Sequence, residues 1–239
     1  MKTKNNVSFT IMKRELSAYF TAPAAYITGG LFLILTGLIF FSTFFIIKRS
    51  ELRPFFNLLP YVLSIFVPAL TMRIFAEEKK SGSFETLMTM PVTEFQVAAG
   101  KYLAALISAA VMVAPTVFYA VTVRIFGEID YGPVIGGYTG SLFLCAAYSA
   151  IGIYCSACTK NQILAFFESL AISIILTAAG KYVLFLPAGI VKFISFISIG
   201  THFDAIAKGI VDSRDIIYFA SLISIFMMLT VRKLQGEKN

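Results

Sequence analysis

An all-helical integral membrane domain is the fold class this sequence predicts, and three observations predict it. The 239 residues are 58% hydrophobic and only 14% charged, against roughly 25% charged in a soluble domain. Mean hydropathy is +0.81. The apolar residues are not dispersed but gathered in runs long enough to cross a bilayer, each separated by a short charged or turn-forming break.

Six spans are expected, at about 24–47, 57–75, 102–125, 134–157, 162–180 and 215–231. Each has the roughly 17–25 residues that a helix needs to cross ~30 Å of hydrocarbon. What remains is tails and loops, so residues 1–239 read as one transmembrane domain: an N-terminal helix within 1–22, a bundle over 24–231 and a tail at 232–239. No cleavable signal peptide is read, because the first apolar run begins late and runs too long for one. Residues 183–200 are a further apolar stretch, interrupted by Pro187 and Gly189 and carrying Lys192. They read as a re-entrant or interfacial helical segment between spans five and six.

The formal net charge of +7 is a topology signal. An even number of spans puts both termini on one side, with Lys2, Lys4, Lys13, Arg14, Arg73, Lys79, Lys80, Lys101, Lys160, Arg232, Lys233 and Lys238. The opposite side has Lys48, Arg49, Arg53, Arg124, Lys181, Lys192, Lys208 and Arg214. The richer side is expected to be cytoplasmic. No basic stripe lies outside the membrane flanks, so nucleic acid is not an expected partner.

Ahead of span one, Phe9, Met12, Leu16, Tyr19 and Phe20 share one helical face, and Lys13, Arg14, Glu15 and Ser17 the other. This spacing fits a helix lying in the head-group layer, or equally an extension of span one. Thr28, Gly29, Gly30, Thr36 and Gly37 make span one a candidate for close helix packing. Pro60, Pro68 and Pro115 are expected to kink or end their helices.

The stretch "AEEKKSGSFETLMTMPVTEFQVAAGKY", residues 76–102, holds most of the chemistry. A helix leaving span two runs through Glu77, Glu78, Lys79 and Lys80, and Gly82 stops it. Ser83 is placed to cap a short helix with Glu85 in its first turn. Phe84, Leu87 and Met88 form its apolar stripe, Pro91 ends it, and Thr93 with Gln96 reads as a capping box for the next helix. A short amphipathic helix presented to the cytoplasm fits protein docking or rest on lipid.

Candidate chemistry within the spans is sparse. Glu168 is the one acid placed inside a span, a candidate polar site or a structural acid. Cys155 and Cys158 form a C-x-x-C with no further metal-ligating residues expected nearby, and His202 is the lone histidine, so no metal site is expected. No nucleophile with its base and no G-x-x-x-x-G-K-[ST] phosphate loop is present in the sequence, which argues against an enzyme.

"EEKKSGSFETLMTMPVTEFQVAAGKYLAAL" resembles the pattern E-E-x-x-x-G-[TS]-x-E-x-L-x-[TS]-x-P-V of type-2 ABC transporter permeases. Glu77, Glu78, Gly82, Ser83, Glu85, Leu87, Thr89, Pro91, Val92, Gly100 and Lys101 carry the likeness, with Ser83 where threonine is commoner. Both end segments, "KRELSAYFTAPAAYI" and "THFDAIAKGIVDSRDIIYFASLISIFMMLTVRKL", resemble the subgroup that includes gliding-motility-associated bacterial permeases. The resemblance implies a permease of the bacterial inner membrane, an exporter in type. Its coupling helix over Glu77–Pro91, including Phe84, Leu87 and Met88, would seat in a cytoplasmic ATPase subunit. It also implies two copies of that ATPase, a second permease chain, and ATP and Mg²⁺ held by the partner. An extracytoplasmic accessory protein is a further expected partner. The competing class is an ion-gradient-driven transporter or channel working through Glu168.

Overall fold

The computed structural model describes residues 4–47, 51–127, 129–181, 194–210 and 212–238. They form helices α1 (Lys4–Thr21), α2 (Pro23–Ile47), α3 (Arg53–Thr71), α4 (Ala76–Ser81), α5 (Ser83–Thr89), α6 (Glu94–Val113), α7 (Val117–Phe126), α8 (Tyr131–Cys158), α9 (Gln162–Ala178), α10 (Ile199–Ala207) and α11 (Ser213–Lys238), with no strand among the described residues. Five helical stretches are long and apolar enough to cross a membrane: Pro23–Ile46, Arg53–Ser81, Glu94–Phe126, Tyr131–Cys158 and Ser213–Glu237. The expected fifth span corresponds to α9, whose 17 residues make it shorter than these. Of the expected segment 183–200, residues 182–193 lie outside the described residues.

The core is built around α8, which packs on α3, α6, α9, α10 and α11. Leu144, Tyr148 and Ile151 are fully enclosed there. Small residues make this possible: a Cβ on Gly137 would lie 2.4 Å from the Phe56 ring, and one on Gly152 would lie 1.9 Å from Thr71 Oγ1. Without a side chain at those points, α3 can lie against α8 at backbone distance. The expectation that Gly29 and Gly30 pack closely is corrected: nothing lies within 4 Å of either Cβ position, and α2 keeps Tyr26, Ile27, Ile34 and Leu38 exposed. The second small pair does pack closely: Thr36 is buried, and a Cβ on Gly37 would lie 3.3 Å from the Tyr119 hydroxyl.

The prolines act as local chemistry dictates. Pro54 lies in the first turn of α3, where a missing N–H does no harm. The helix continues through Pro60 and ends three residues beyond Pro68. Pro115 sits in a 3₁₀ turn, Ala114–Thr116, that joins α6 to α7, and the Tyr138 hydroxyl donates to Thr116 O at 2.6 Å.

α9 travels the length of the bundle. Asn161 caps its start by accepting from the Ile163 N–H at 3.0 Å, close to the end of α8. Its far end reaches α10, where the Gly180 N–H donates to Ser198 Oγ at 3.0 Å. Ala165, Ser169, Ser173 and Thr177, spaced four apart, turn one small-residue face inward, and Thr177 Oγ1 lies 2.6 Å from the Tyr148 hydroxyl. At that same end Asp215, at the start of α11, lies 2.6 Å from His202 Nδ1, while the His202 ring stacks on Tyr218.

Substituting Gly152→Val forces a branched side chain into Thr71. Overpacking of this kind costs about 1–3 kcal/mol. The expected result is a clear fall in the thermal midpoint of the detergent-solubilised protein, with Gly30→Val nearly silent in the same measurement.

Candidate functional site

The stretch between α3 and α6 folds as an elbow. α3 ends at Thr71, and a turn over 72–75 leaves backbone groups without helical partners. One buried hydroxyl from α8 serves them: Ser156 Oγ accepts from the Phe75 and Ala76 N–H groups at 3.0 and 3.1 Å and donates to Met72 O at 3.0 Å. α4 then runs to Gly82, whose φ of 76° is left-handed, a conformation open to glycine at little cost. Gly82 itself occupies the cap of α5, so the expected capping role of Ser83 is corrected. Ser83 is the first helical residue, and its hydroxyl turns back to Ser81 Oγ at 2.9 Å. Met90 is extended ahead of Pro91. Thr93 and Gln96 close a full capping box at the start of α6.

Two lysines brace the elbow. Lys101 on α6 is 0% exposed. Its ammonium donates to Glu15 Oε1 at 3.1 Å and to Ile74 O at 2.9 Å, lies 2.9 Å from Glu78 Oε1, and sits 5.0 Å from the Phe75 ring centroid. Arg14 closes the network, 2.8 Å from Glu15 Oε1 and 3.1 Å from Glu78 Oε1. Burial alone would raise the Glu15 pKa, but Lys101 and Arg14 outweigh it and hold the carboxyl below its ordinary range. The bridge is therefore intact above the ordinary carboxylate range near ~4.3 and is lost only as pH falls through the lowered value.

Lys79 is the second brace. It donates to Ala157 O at the end of α8 and lies 2.6 Å from Glu237 Oε2 at the end of α11. Its ammonium also lies 5.2 Å from the Phe84 ring centroid. Both ends of the described chain thus meet the elbow: α1 through Arg14 and Glu15, α11 through Glu237.

The expected docking stripe is where the structure departs most from the sequence reading. Phe84 and Leu87 are each only 7% exposed. They pack inward in a cluster with Phe75, Val97, Ala98 and Leu234. The apolar side of α5 covers the nearest apolar surface, and that surface is the base of its own bundle. The Met88 side chain lies outside the described residues. Facing outward are Glu77, Ser83, Glu85, Thr86 and Thr89, together with Met90 at 51% and Phe95 at 63% exposed. Phe95 is the residue that the sequence reading missed; it lies within the capping box, between Thr93 and Gln96, in the exposed first turn of α6. Glu78, expected at an exposed rim, is instead bound into the Lys101 network.

The α1 expectation is also revised. Ile11 is the buried residue, meeting α6 where Gly100 leaves room, whereas Phe9 and Phe20 stay exposed. The face turned to α6 carries Ile11 and Glu15, which the bond to Lys101 selects over the more apolar face.

Residues 53–232, from α3 to within α11 and so including the whole elbow, match the model of the ABC-2 family transporter protein. The chain belongs to that family. A comparison with curated proteins finds no match. Members of the ABC-2 family are membrane components of ABC transporters, and they typically work with a separate ATP-binding subunit. The five apolar helices accord with a multi-pass membrane protein.

Elsewhere the expected sites stay apart. Glu168 is half-buried on α9 and makes no ion pair among the described residues. Cys155 is buried and Cys158 exposed, both free. No group of three His, Cys, Asp or Glu side chains gathers among the described residues.

Lys101→Ala is expected to leave two half-buried carboxylates without their ammonium. Breaking a buried pair from one side costs about 3–5 kcal/mol. Replacing Lys101 by Met together with Glu15→Gln and Glu78→Gln should recover much of that loss. Thermal unfolding of the solubilised permease measures both.

Proposed function

We propose that this chain is the membrane-spanning permease subunit of an ABC exporter in a bacterial inner membrane, with both termini cytoplasmic. The observation that carries the reading is the braced elbow lying inside the family match. A segment that receives force from a partner must not yield, and this one is held to α8 by Ser156 and Lys79, to α11 by Glu237, and to α1 and α6 by Lys101.

In this reading α9 is the fifth of six spans, and α1 lies in the head-group layer with Phe9 and Phe20 toward lipid. A cytoplasmic ATPase, two copies per complex, holds ATP and Mg²⁺ and touches the elbow. A second permease, identical or related, completes the translocation path. The resemblance of the chain ends to gliding-motility-associated permeases supports the same class.

The coupling residues divide by their environment. Glu77, Ser83, Glu85 and Pro91, with Met90 and Phe95, form the contact face. Phe84, Leu87, Glu78 and Gly82 shape the elbow behind it. ATPase closure pushes on α5, and Phe84 against Phe75 passes the displacement to the junction of α3 and α4. Coupling then travels through packed and hydrogen-bonded elements rather than through a flexible loop.

The test is co-purification with the ATPase and stimulated ATP hydrolysis in nanodiscs. Phe95→Asp with Met90→Asp should weaken recruitment while leaving the permease folded, since burying one large apolar side chain is worth roughly 1.5–3 kcal/mol. Leu87→Asp should instead lower thermal stability, because it places a charge in the inward cluster. Full recruitment by the Phe95 and Met90 double variant would refute this contact face.

Glu168→Gln is expected to preserve ATP-driven transport in the same nanodiscs, the amide keeping the hydrogen-bonding capacity of the acid. Loss of transport with ATPase assembly intact would favour an ion-coupled mechanism through Glu168.

A further inference from the structure

α2 packs against α3 and hardly touches α6. Between α1, α2, α3 and α6 this leaves a cavity of about 530 Å³. A second cavity of about 310 Å³ adjoins it, sharing Tyr19, Ala25 and Ser108. Together they form one cleft of changing chemistry. The end beside the elbow is lined by Glu15, Arg73, Glu77 and Glu78. The other end is lined by Gly29, Gly30, Leu33, Val111 and Met112. The open space over Gly29 and Gly30 belongs to this apolar end.

The charged end is incompletely satisfied. Lys101 and Arg14 both meet Glu78 through Oε1. Glu78 Oε2 is buried and has no hydrogen-bond partner. A buried carboxylate oxygen left so is costly unless a donor reaches it. Beside it, Glu77 and Arg73 are both exposed and enter no ion pair among the described residues. The charged end of the cleft therefore holds the unpaired Arg73 guanidinium, the unpaired Glu77 carboxylate and the buried, unpartnered oxygen of Glu78, and an apolar corridor leads away from them. Cavities of about 300–1,000 Å³ are the size that holds small ligands.

We propose that this cleft binds a phospholipid with a primary-amine head group. Arg73 takes the phosphate, because a guanidinium matches its oxygens in a planar fork. Glu77 and Glu78 Oε2 take the ammonium. An acyl chain runs past Ala25 to Gly29 and Gly30. A quaternary choline head has no N–H to give Glu78 Oε2. An anionic glycerol head brings no positive charge for Glu77, the carboxylate there that Lys101 and Arg14 leave unpaired. The charged end adjoins the Lys101 network, with which it shares Glu15 and Glu78, and the corridor runs along α2 past Gly29 and Gly30. The site lies within one permease chain; it shares Glu77 with the proposed ATPase face, and lipid retention by the permease alone tests it separately from ATPase recruitment.

The permease is reconstituted in nanodiscs of equal phosphatidylethanolamine, phosphatidylcholine and phosphatidylglycerol, re-extracted in mild detergent and weighed by native mass spectrometry. The ethanolamine lipid should be retained over the other two by about tenfold, the value of one charge-assisted hydrogen bond. Gly29→Leu fills open space without meeting a neighbour, so the thermal midpoint should hold while retention is lost. Arg73→Gln with Glu77→Gln should keep a bound lipid but abolish the head-group preference. Equal retention of the three lipids by the unaltered chain, or unchanged retention in Gly29→Leu, would overturn the proposal. So would efficient cross-linking between two copies through Ala25→Cys, which would place a second copy in the cleft.

Discussion

A buried ammonium must be surrounded by acceptors or it will not stay charged and buried. Lys101 meets that demand with groups from two parts of the chain far from it in sequence: Glu15 of α1, and the elbow with the Ile74 carbonyl and Glu78. Each is distant in sequence, so one side chain sets the relative position of four helices. α1 is drawn to α6 on its Ile11 and Glu15 face, and α4 is fixed against both. Removing any partner leaves charge without compensation, which makes the network a geometric constraint more than a source of net stability.

The rigidity of the elbow follows from the same economy of buried polar groups. A chain leaving a helix exposes unsatisfied N–H and C=O groups, and here Ser156 of α8 takes three of them. Lys79 adds the last carbonyls of α8 and the acid of α11. The apolar side of α5 then closes over Phe75 and Val97. The elbow is thus held through the polar contacts of α4 and the apolar side of α5.

The two sides of the bundle differ in kind. α8 is enclosed because small residues let α3 and α10 approach its backbone, and van der Waals contact drives such association in a membrane. α2 is apolar throughout, but only a stripe of it, with Phe32, Thr36 and Phe40, is buried, and many of its other large side chains face outward. Equal hydrophobicity thus accompanies opposite environments, and the cleft beside α2 is a consequence: a helix that packs on α3 and on Tyr119 of α7 leaves space toward α6.

Hydropathy determined the helical class and the main spans because lipid offers backbone groups no partner, so an apolar run of span length has a helix as its ready solution. Local chemistry determined further elements: the stop at Gly82, the break at Pro91 and the capping box of Thr93 with Gln96 depend on neighbours within a few residues. Hydrophobic spacing also identified α5 as amphipathic. It did not determine what Phe84 and Leu87 would cover, since an apolar stripe fits a partner protein, lipid or its own bundle equally well. Only the tertiary structure decided that, by placing Phe75, Val97 and Leu234 against it. The same holds for Lys101, one of twelve cations on its side of the sequence until Glu15 and Glu78 are brought to it. Periodicity records which residues share a face; which face meets which is set by contacts between residues far apart in the chain.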